Sequence, residues 1–241
     1  MTKAHELYII GVRSIKENPF QKGDQDMEKN QKRICGVLYS ILKRIIDIIF
    51  GIVGTIGFVI IWIFVKLAFL LSGDIDTVMF IQERIGYRGK KIKIFKFRSM
   101  IKDADEVLKT YLAENEEARQ EYEQYKKLKD DPRITPVGKF IRAYSIDEIP
   151  QFINVLIGNM SLVGPRPYLW REKKDMGEAY DTIITCKPGI TGYWQVNGRS
   201  NTDFNERLEL EVYYCKNRSF WLDIKIFFKT FYQVIKKEGA E

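Results

Sequence analysis

IIFGIVGTIGFVIIWIFV, residues 48–65, is a run of 18 residues without a charge. As a helix it rises about 27 Å, close to the ~30 Å hydrocarbon core of a bilayer. A soluble core helix of this length would keep a polar face, and this one has none. The run predicts a membrane-inserted helix and divides the chain in three: a variable segment 1–31, a basic flank with the membrane helix 32–73, and a cytoplasmic domain 74–241. Basic residues crowd both sides. Lys29, Lys32, Arg33, Lys43 and Arg44 precede the run, and Lys66, Arg84, Arg88, Lys90, Lys91, Lys93, Lys96 and Arg98 follow it. A crossing helix would leave one basic flank outside, against the positive-inside tendency. A helix that enters and turns back, bending near Gly51, Gly54 or Gly57, keeps both flanks inside. A single-span anchor with packing glycines is the alternative, and charge alone does not choose between them.

The 241-residue chain is 45% hydrophobic with a net charge of +7, enough for one domain plus a membrane element. The positive balance expects an anionic partner: lipid headgroups, a phosphorylated substrate or nucleic acid. His5 is the only histidine, which argues against His-ligated zinc and His-assisted nucleophiles. Cys35, Cys186 and Cys215 are widely spaced and fit neither a disulfide framework nor a zinc site, so a reducing compartment is expected. Any metal must be a hard cation on carboxylates, and Mg²⁺ fits best. Residues 1–31 lack the basic start, apolar stretch and cleavage site of a signal peptide.

The remaining pattern is α+β and mainly helical. Val78–Gln82 and Lys91–Arg98 read as strands around the turn Gly86-Tyr87-Arg88-Gly89. The apolar phase changes between Ile94 and Phe95, which expects a bulge or a strand that loses one partner midway. Residues 102–131 read as one amphipathic helix stopped at Asp131-Pro132. Arg207–Tyr214 reads as helix, and the helix opening at Phe220-Trp221 is basic and amphipathic, suited to a membrane interface. Asp74-Ile-Asp76 has the Asp-x-Asp form of a glycosyltransferase metal site, but a polar exit from the membrane helix explains so short a motif as well.

The chemistry concentrates in IRAYSIDEIPQFINVLIGNMSLVGPRP, residues 141–167. Asp147 and Glu148 stand at a helix start, where Ser145-x-x-Glu148 has the form of a capping box and Pro150 fits it badly. Adjacent carboxylates repel, and a bound Mg²⁺ relieves that cost while attracting a diphosphate. Arg166 lies between Pro165 and Pro167, which fix its backbone for a directed phosphate contact. Arg142 lies just upstream. The glycine-rich run Lys187–Arg199 offers Tyr193, Trp194 and Arg199 to a uridine and a phosphate, or packs as a tight turn.

These motifs resemble the bacterial sugar transferases, the single-domain polyprenyl-phosphate phosphoglycosyl transferases. The resemblance runs from about Lys43 to Gly239. It includes Lys43-Arg44-Ile-Ile-Asp47, Gln82-Glu83-Arg84-Ile-Gly86, Lys96-Phe-Arg98-Ser99-Met100 and Asp131-Pro132-Arg133-Ile-Thr135. It continues through Ser145-Ile-Asp147-Glu148-Ile-Pro150-Gln151, Gly164-Pro165-Arg166-Pro167 and Pro188-Gly189-Ile-Thr191-Gly192. It is similar to the branch that acts on undecaprenyl phosphate with galactose or glucose, which often carries extra N-terminal membrane helices.

The resemblance implies that Asp147 attacks the β-phosphate of a UDP-sugar, releasing UMP and forming an aspartyl-phosphosugar that polyprenyl phosphate takes up. It gives Glu148 the role of Mg²⁺ ligand and Arg166 that of a phosphate contact, with Arg142 and Lys96 candidates of the same kind; Arg199, from the glycine-rich run, is a further candidate substrate contact. It also implies a re-entrant helix, a site on the cytoplasmic face of the bacterial cytoplasmic membrane, membrane lipids as partners and no nucleic acid. The oligomeric state stays open between monomer and homodimer. Two features depart from the family's pattern: the apolar run has no proline, and Glu211 stands where the family usually has Asp. The competing readings are an Asp-x-Asp glycosyltransferase on Asp74 and Asp76, and a non-catalytic membrane-bound binding protein.

Overall fold

The structure is a computed structural model that describes residues 19–198 and 202–236. The chain forms two units, residues 1–42 and 43–241. What is described of the first is helical. Helix α1, Pro19–Leu71, begins there and ends in the second unit. Its stretch Gly36–Leu71 is the one helix among the described residues long and apolar enough to cross a membrane.

The second unit is α+β and mainly helical, as expected. Strands β1 (Met79–Ile85) and β2 (Lys91–Phe97) pair antiparallel in unbroken register, from Met79 opposite Phe97 to Ile85 opposite Lys91. The expected bulge is therefore absent. The phase change has another cause, since β2 has no second strand beside it. Asn154 stands in for one. Its side-chain carbonyl accepts the Phe95 N–H at 3.0 Å, and its amide donates to the Lys93 carbonyl at 2.7 Å. Ile92 and Ile94 face the main core, Lys96 turns to the site, and Phe97 joins a separate cluster with Val65, Phe69, Val78 and Ile141.

The expected single helix over 102–131 is two, α2 (Ala104–Glu114) and α3 (Glu116–Tyr125). Asn115 breaks it by extending its backbone and capping the Ala118 N–H with its side chain, a local competition that periodicity does not register. Next come α4 (Pro136–Ala143) and α5 (Gln151–Ile157), with Asp147 and Glu148 on the 3₁₀ turn Ile146–Glu148 between them.

Strand β3 (Ser161–Val163) pairs parallel with β4 (Gly189–Thr191). The Lys187–Arg199 run, read as loop, thus carries a strand and then α7 (Tyr193–Asn197), preceded by the short α6 (Ala179–Ile183). Helices α8 (Phe204–Asn217) and α9 (Phe220–Lys236) close the domain. The main core joins Ile94 of β2, Val155 of α5, Leu162 of β3, Tyr214 of α8 and Ile226 of α9.

From Lys43 onward α1 presents one side to this domain at nearly every turn. Lys43 donates to the Val163 carbonyl at 2.8 Å and pairs with Asp223 of α9. Arg44 holds the carbonyls of Val155 and Leu156. Asp47 accepts from the Ser161 hydroxyl and the Leu162 N–H. Gly51 and Gly54 let the helix touch Leu156 and Phe152; a Cβ at Gly54 would enter the Phe152 ring. Further along, Phe58 meets Phe97, and Val65 and Phe69 are buried. The helix is unbroken across its glycines; Gly51 and Gly54 serve close packing, whereas a Cβ at Gly57 would meet nothing. The opposite side, with Val53, Ile56, Ile60, Phe64 and Leu67, is exposed and apolar.

Candidate active site

Asp147 and Glu148 owe their setting to a turn that refuses to be a helix. Ser145 takes a left-handed backbone (φ 53°) and caps nothing, so the expected capping box does not form. Pro150 becomes the residue before α5, where its missing N–H costs no bond. The tight turn points both carboxylates at β2. Lys96 Nζ sits 3.0 Å from Glu148 Oε1 and 3.8 Å from Asp147 Oδ2.

The two acids differ in environment. Asp147 is buried, and burial together with the Glu148 charge pushes its carboxyl up to about 6, against the pull of Lys96 and Arg142. Burial also pushes the Glu148 carboxyl up, but Lys96 and then Arg166 outweigh it and hold it below the usual range. Arg142 fixes itself on the Ser99 hydroxyl at 2.8 Å, and the Asp147 charge acts on it.

Arg166 is half-buried on the loop after β3. Gly164 there carries no side chain because a Cβ would strike the Lys187 carbonyl. The loop instead continues the β3–β4 ladder, with Gly164 N–H on Thr191 O at 2.9 Å and Gly189 N–H on Pro165 O at 2.9 Å. Arg166 acts electrostatically on Glu148, which puts it at the same site. Among the described residues its guanidinium has no ion-pair partner.

The structure thus gathers Asp147, Glu148, Lys96, Arg142 and Arg166. Arg199 lies outside the described residues. Asp74 is committed elsewhere: it accepts from Arg98 at 2.7 Å and from the Asp76 N–H, as a polar exit from α1. Nothing else joins that pair, since no group of three or more His, Cys, Asp or Glu among the described residues could hold a metal. Trp194 is not a free stacking surface, because Arg207 lies 5.1 Å over its ring, and Tyr193 stacks on Tyr213.

Two residues named in the sequence had no role assigned to them there. Arg84, 8% exposed, is pushed down to about 9 by burial and by the Arg166 charge. Glu211, fully buried, accepts the Arg166 N–H at 2.7 Å, and burial pushes its carboxyl up to about 8. The family-like motif around Arg84 was the only available signal for the first.

For Mg²⁺, the donor set is the test. Two hard carboxylates, one buried and one half-buried, cannot form an all-protein cage. They match the mode in which one or two carboxylates share the ion with substrate phosphates and water. Lys96 across both oxygens marks the place as one that positive charge stabilises. The residues fit.

The carboxylate pair thus sits under lysine and arginine, on a domain that grips an apolar helix. The chain belongs to the bacterial sugar transferase family, whose sequence model matches residues 38–237. It is 43% identical over 199 residues to an undecaprenyl-phosphate galactose phosphotransferase of Salmonella typhimurium, covering 83% of this chain and 41% of that protein. It is 38% identical over 209 residues to a UDP-glucose:undecaprenyl-phosphate glucose-1-phosphate transferase of Escherichia coli, again covering 83% and 41%. With the exopolysaccharide production protein ExoY of Sinorhizobium fredii it shares 34% identity over 201 residues, 83% of this chain and 88% of ExoY. The chain spans less than half the length of several of the relatives it matches, including the first two named here.

Proposed function

We propose that this chain transfers a hexose 1-phosphate, galactose or glucose, from a UDP-sugar to undecaprenyl phosphate, releasing UMP, as the first membrane step of polysaccharide assembly. The observation that carries the reading is the Asp147–Glu148 turn seated on Lys96, in a chain whose relatives are named for this chemistry. An Asp147 carboxylate oxygen attacks the β-phosphorus of the donor. The bond from that phosphorus to the oxygen bridging the α-phosphate breaks, and its electron pair leaves on UMP. The phosphosugar stays on Asp147 as an acyl phosphate. An oxygen of undecaprenyl phosphate then attacks the same phosphorus and restores the carboxylate. One displacement becomes two in-line steps.

Lys96 holds the Asp147 and Glu148 charges together before the donor arrives, and Arg166 and Arg142 meet the donor's phosphates. Glu148 would hold Mg²⁺, which when bound would supply charge neutralisation to the donor's diphosphate. On this reading α1 seats the domain on the cytoplasmic face of the membrane and returns both its basic flanks to that face. Helix α9 lies beside α1 through Phe50 and Phe227. Its Trp221, Phe228, Phe231 and Ile235 are exposed and apolar as well, which suits contact with lipid.

The test is intact mass. Pure protein with a UDP-hexose and Mg²⁺, without lipid acceptor, gains one hexose phosphate, and Asp147→Asn gains none. UMP release by the wild type with no adduct would reject the covalent route in favour of direct attack by the lipid phosphate.

A further inference from the structure

Arg166 needs a fixed position to tell a diphosphate from water, and among the described residues no ion pair fixes its side chain. Its backbone is held instead. On one side, Glu211 Oε1 accepts the Arg166 N–H at 2.7 Å. On the other, Arg84 Nη1 donates to the Pro167 carbonyl at 3.1 Å, while its Nε and Nη2 hold Gln82 Oε1 at 3.0 and 2.5 Å. Pro167 also restricts the residue before it to extended backbone.

We propose that Glu211 and Arg84 are positioning residues that grip the backbone at the Arg166 N–H and, one residue on, at the Pro167 carbonyl, and so set where the Arg166 guanidinium meets the donor's diphosphate. The inference rests on the reading of Arg166 as a diphosphate contact.

Glu211 is an expensive way to do anything less. It is 0% exposed, and its Oε2 has no hydrogen-bond partner among the described residues. A buried acid with half its acceptors unused costs more than an apolar side chain of the same shape. The one bond it makes is to the residue that meets substrate. Burial keeps it protonated near neutral pH, so its working form is a neutral acceptor, which glutamine reproduces. Aspartate keeps the chemistry but falls short by one methylene, about 1.5 Å, and cannot span the gap without moving the loop. Arg84 adds a second effect. Its charge lies close enough to Arg166 for each to oppose the other, with Glu172 the nearest acid at 4.0 Å. That excess of positive charge suits an incoming diphosphate.

UDP with Mg²⁺ is the probe, titrated by calorimetry into the full chain in detergent, alongside hydrogen exchange of the peptide spanning residues 164–169. The expected result is UDP affinity at least tenfold weaker, with faster exchange, in Glu211→Asp and Arg84→Lys, and near wild type in Glu211→Gln. Arg166→Ala is the control for the underlying reading and is expected to lose at least tenfold as well. If Arg166→Ala weakens UDP while Glu211→Asp and Arg84→Lys bind it as the wild type does, the clamp is wrong and the reading stands. If Arg166→Ala binds UDP unchanged, the reading falls and the inference with it. Should Glu211→Asp fail to fold, Arg84→Lys alone decides between the first two outcomes.

Discussion

At the scale of single residues, burial separates acids that look alike in the chain. Asp105-Glu106 and Asp147-Glu148 are the same dipeptide. Asp105 is two-thirds exposed on a helix and pairs with Arg171 at the surface. Asp147 is buried against Lys96. Sequence context raised the second pair through its neighbours, and the structure shows the physical reason in the 3₁₀ turn. Glu211 was legible only as a departure from a family pattern, because its meaning lies in a contact 45 residues away in the chain.

Burial also gives Glu211 a pH signature. Its carboxyl rises from 4.5 to about 8 on folding. Between those values the folded chain holds a proton that the unfolded chain has released. Its contribution to stability is therefore complete below about pH 4.5 and lost as pH rises through about 8. Each pH unit in that window costs up to about 1.4 kcal/mol. The melting temperature of the wild type, compared with that of Glu211→Gln, should fall more steeply between pH 5 and 8. Parallel curves would show that Glu211 ionises in the fold as it does in water.

At the scale of elements, helices and strands were largely readable where one face is apolar, and misread where a side chain replaces backbone. Periodicity gave β1, β2, α8 and α9 to within a few residues. It missed the split at Asn115 and the role of Asn154, since an amide that caps a helix or mimics a strand leaves no periodic trace. It also missed β4, whose three residues Gly189–Thr191 form a strand only because β3 lies beside them. Asn154 is fully buried, with bonds to Phe95, Lys93 and Asn159. Asn154→Ala removes both of its part-buried bonds to β2 and should cost roughly 1–3 kcal/mol, read as a lower denaturant midpoint. Because β2 carries Lys96, the rate of adduct formation should drop with it. A stable variant with normal adduct formation would mean that β2 needs no second edge.

At the scale of the whole molecule, the apolar run announced a membrane helix, but what that helix touches could not be read from it. Charge left re-entry and crossing open, and the structure adds a steric consideration. The domain holds α1 at Lys43, midway along the helix, and again at Phe69 near its C-terminal end. Those positions are about 39 Å apart along a helix, more than the hydrocarbon core is thick. A crossing helix would drag the same domain through the bilayer. Single cysteines in place of Ser40 and Ser72, in cells or sealed vesicles, should therefore both react with a membrane-impermeant maleimide from the cytoplasmic side only. Labelling of one site from each side would establish a crossing helix.

The knot between α1 and β3 makes the helix more than an anchor. Lys43 and Asp47 are tied to Ser161, Leu162 and Val163, and the same strand runs directly into the loop that carries Arg166. A displacement of α1 would therefore be passed, through three residues of strand, to the backbone beside the arginine.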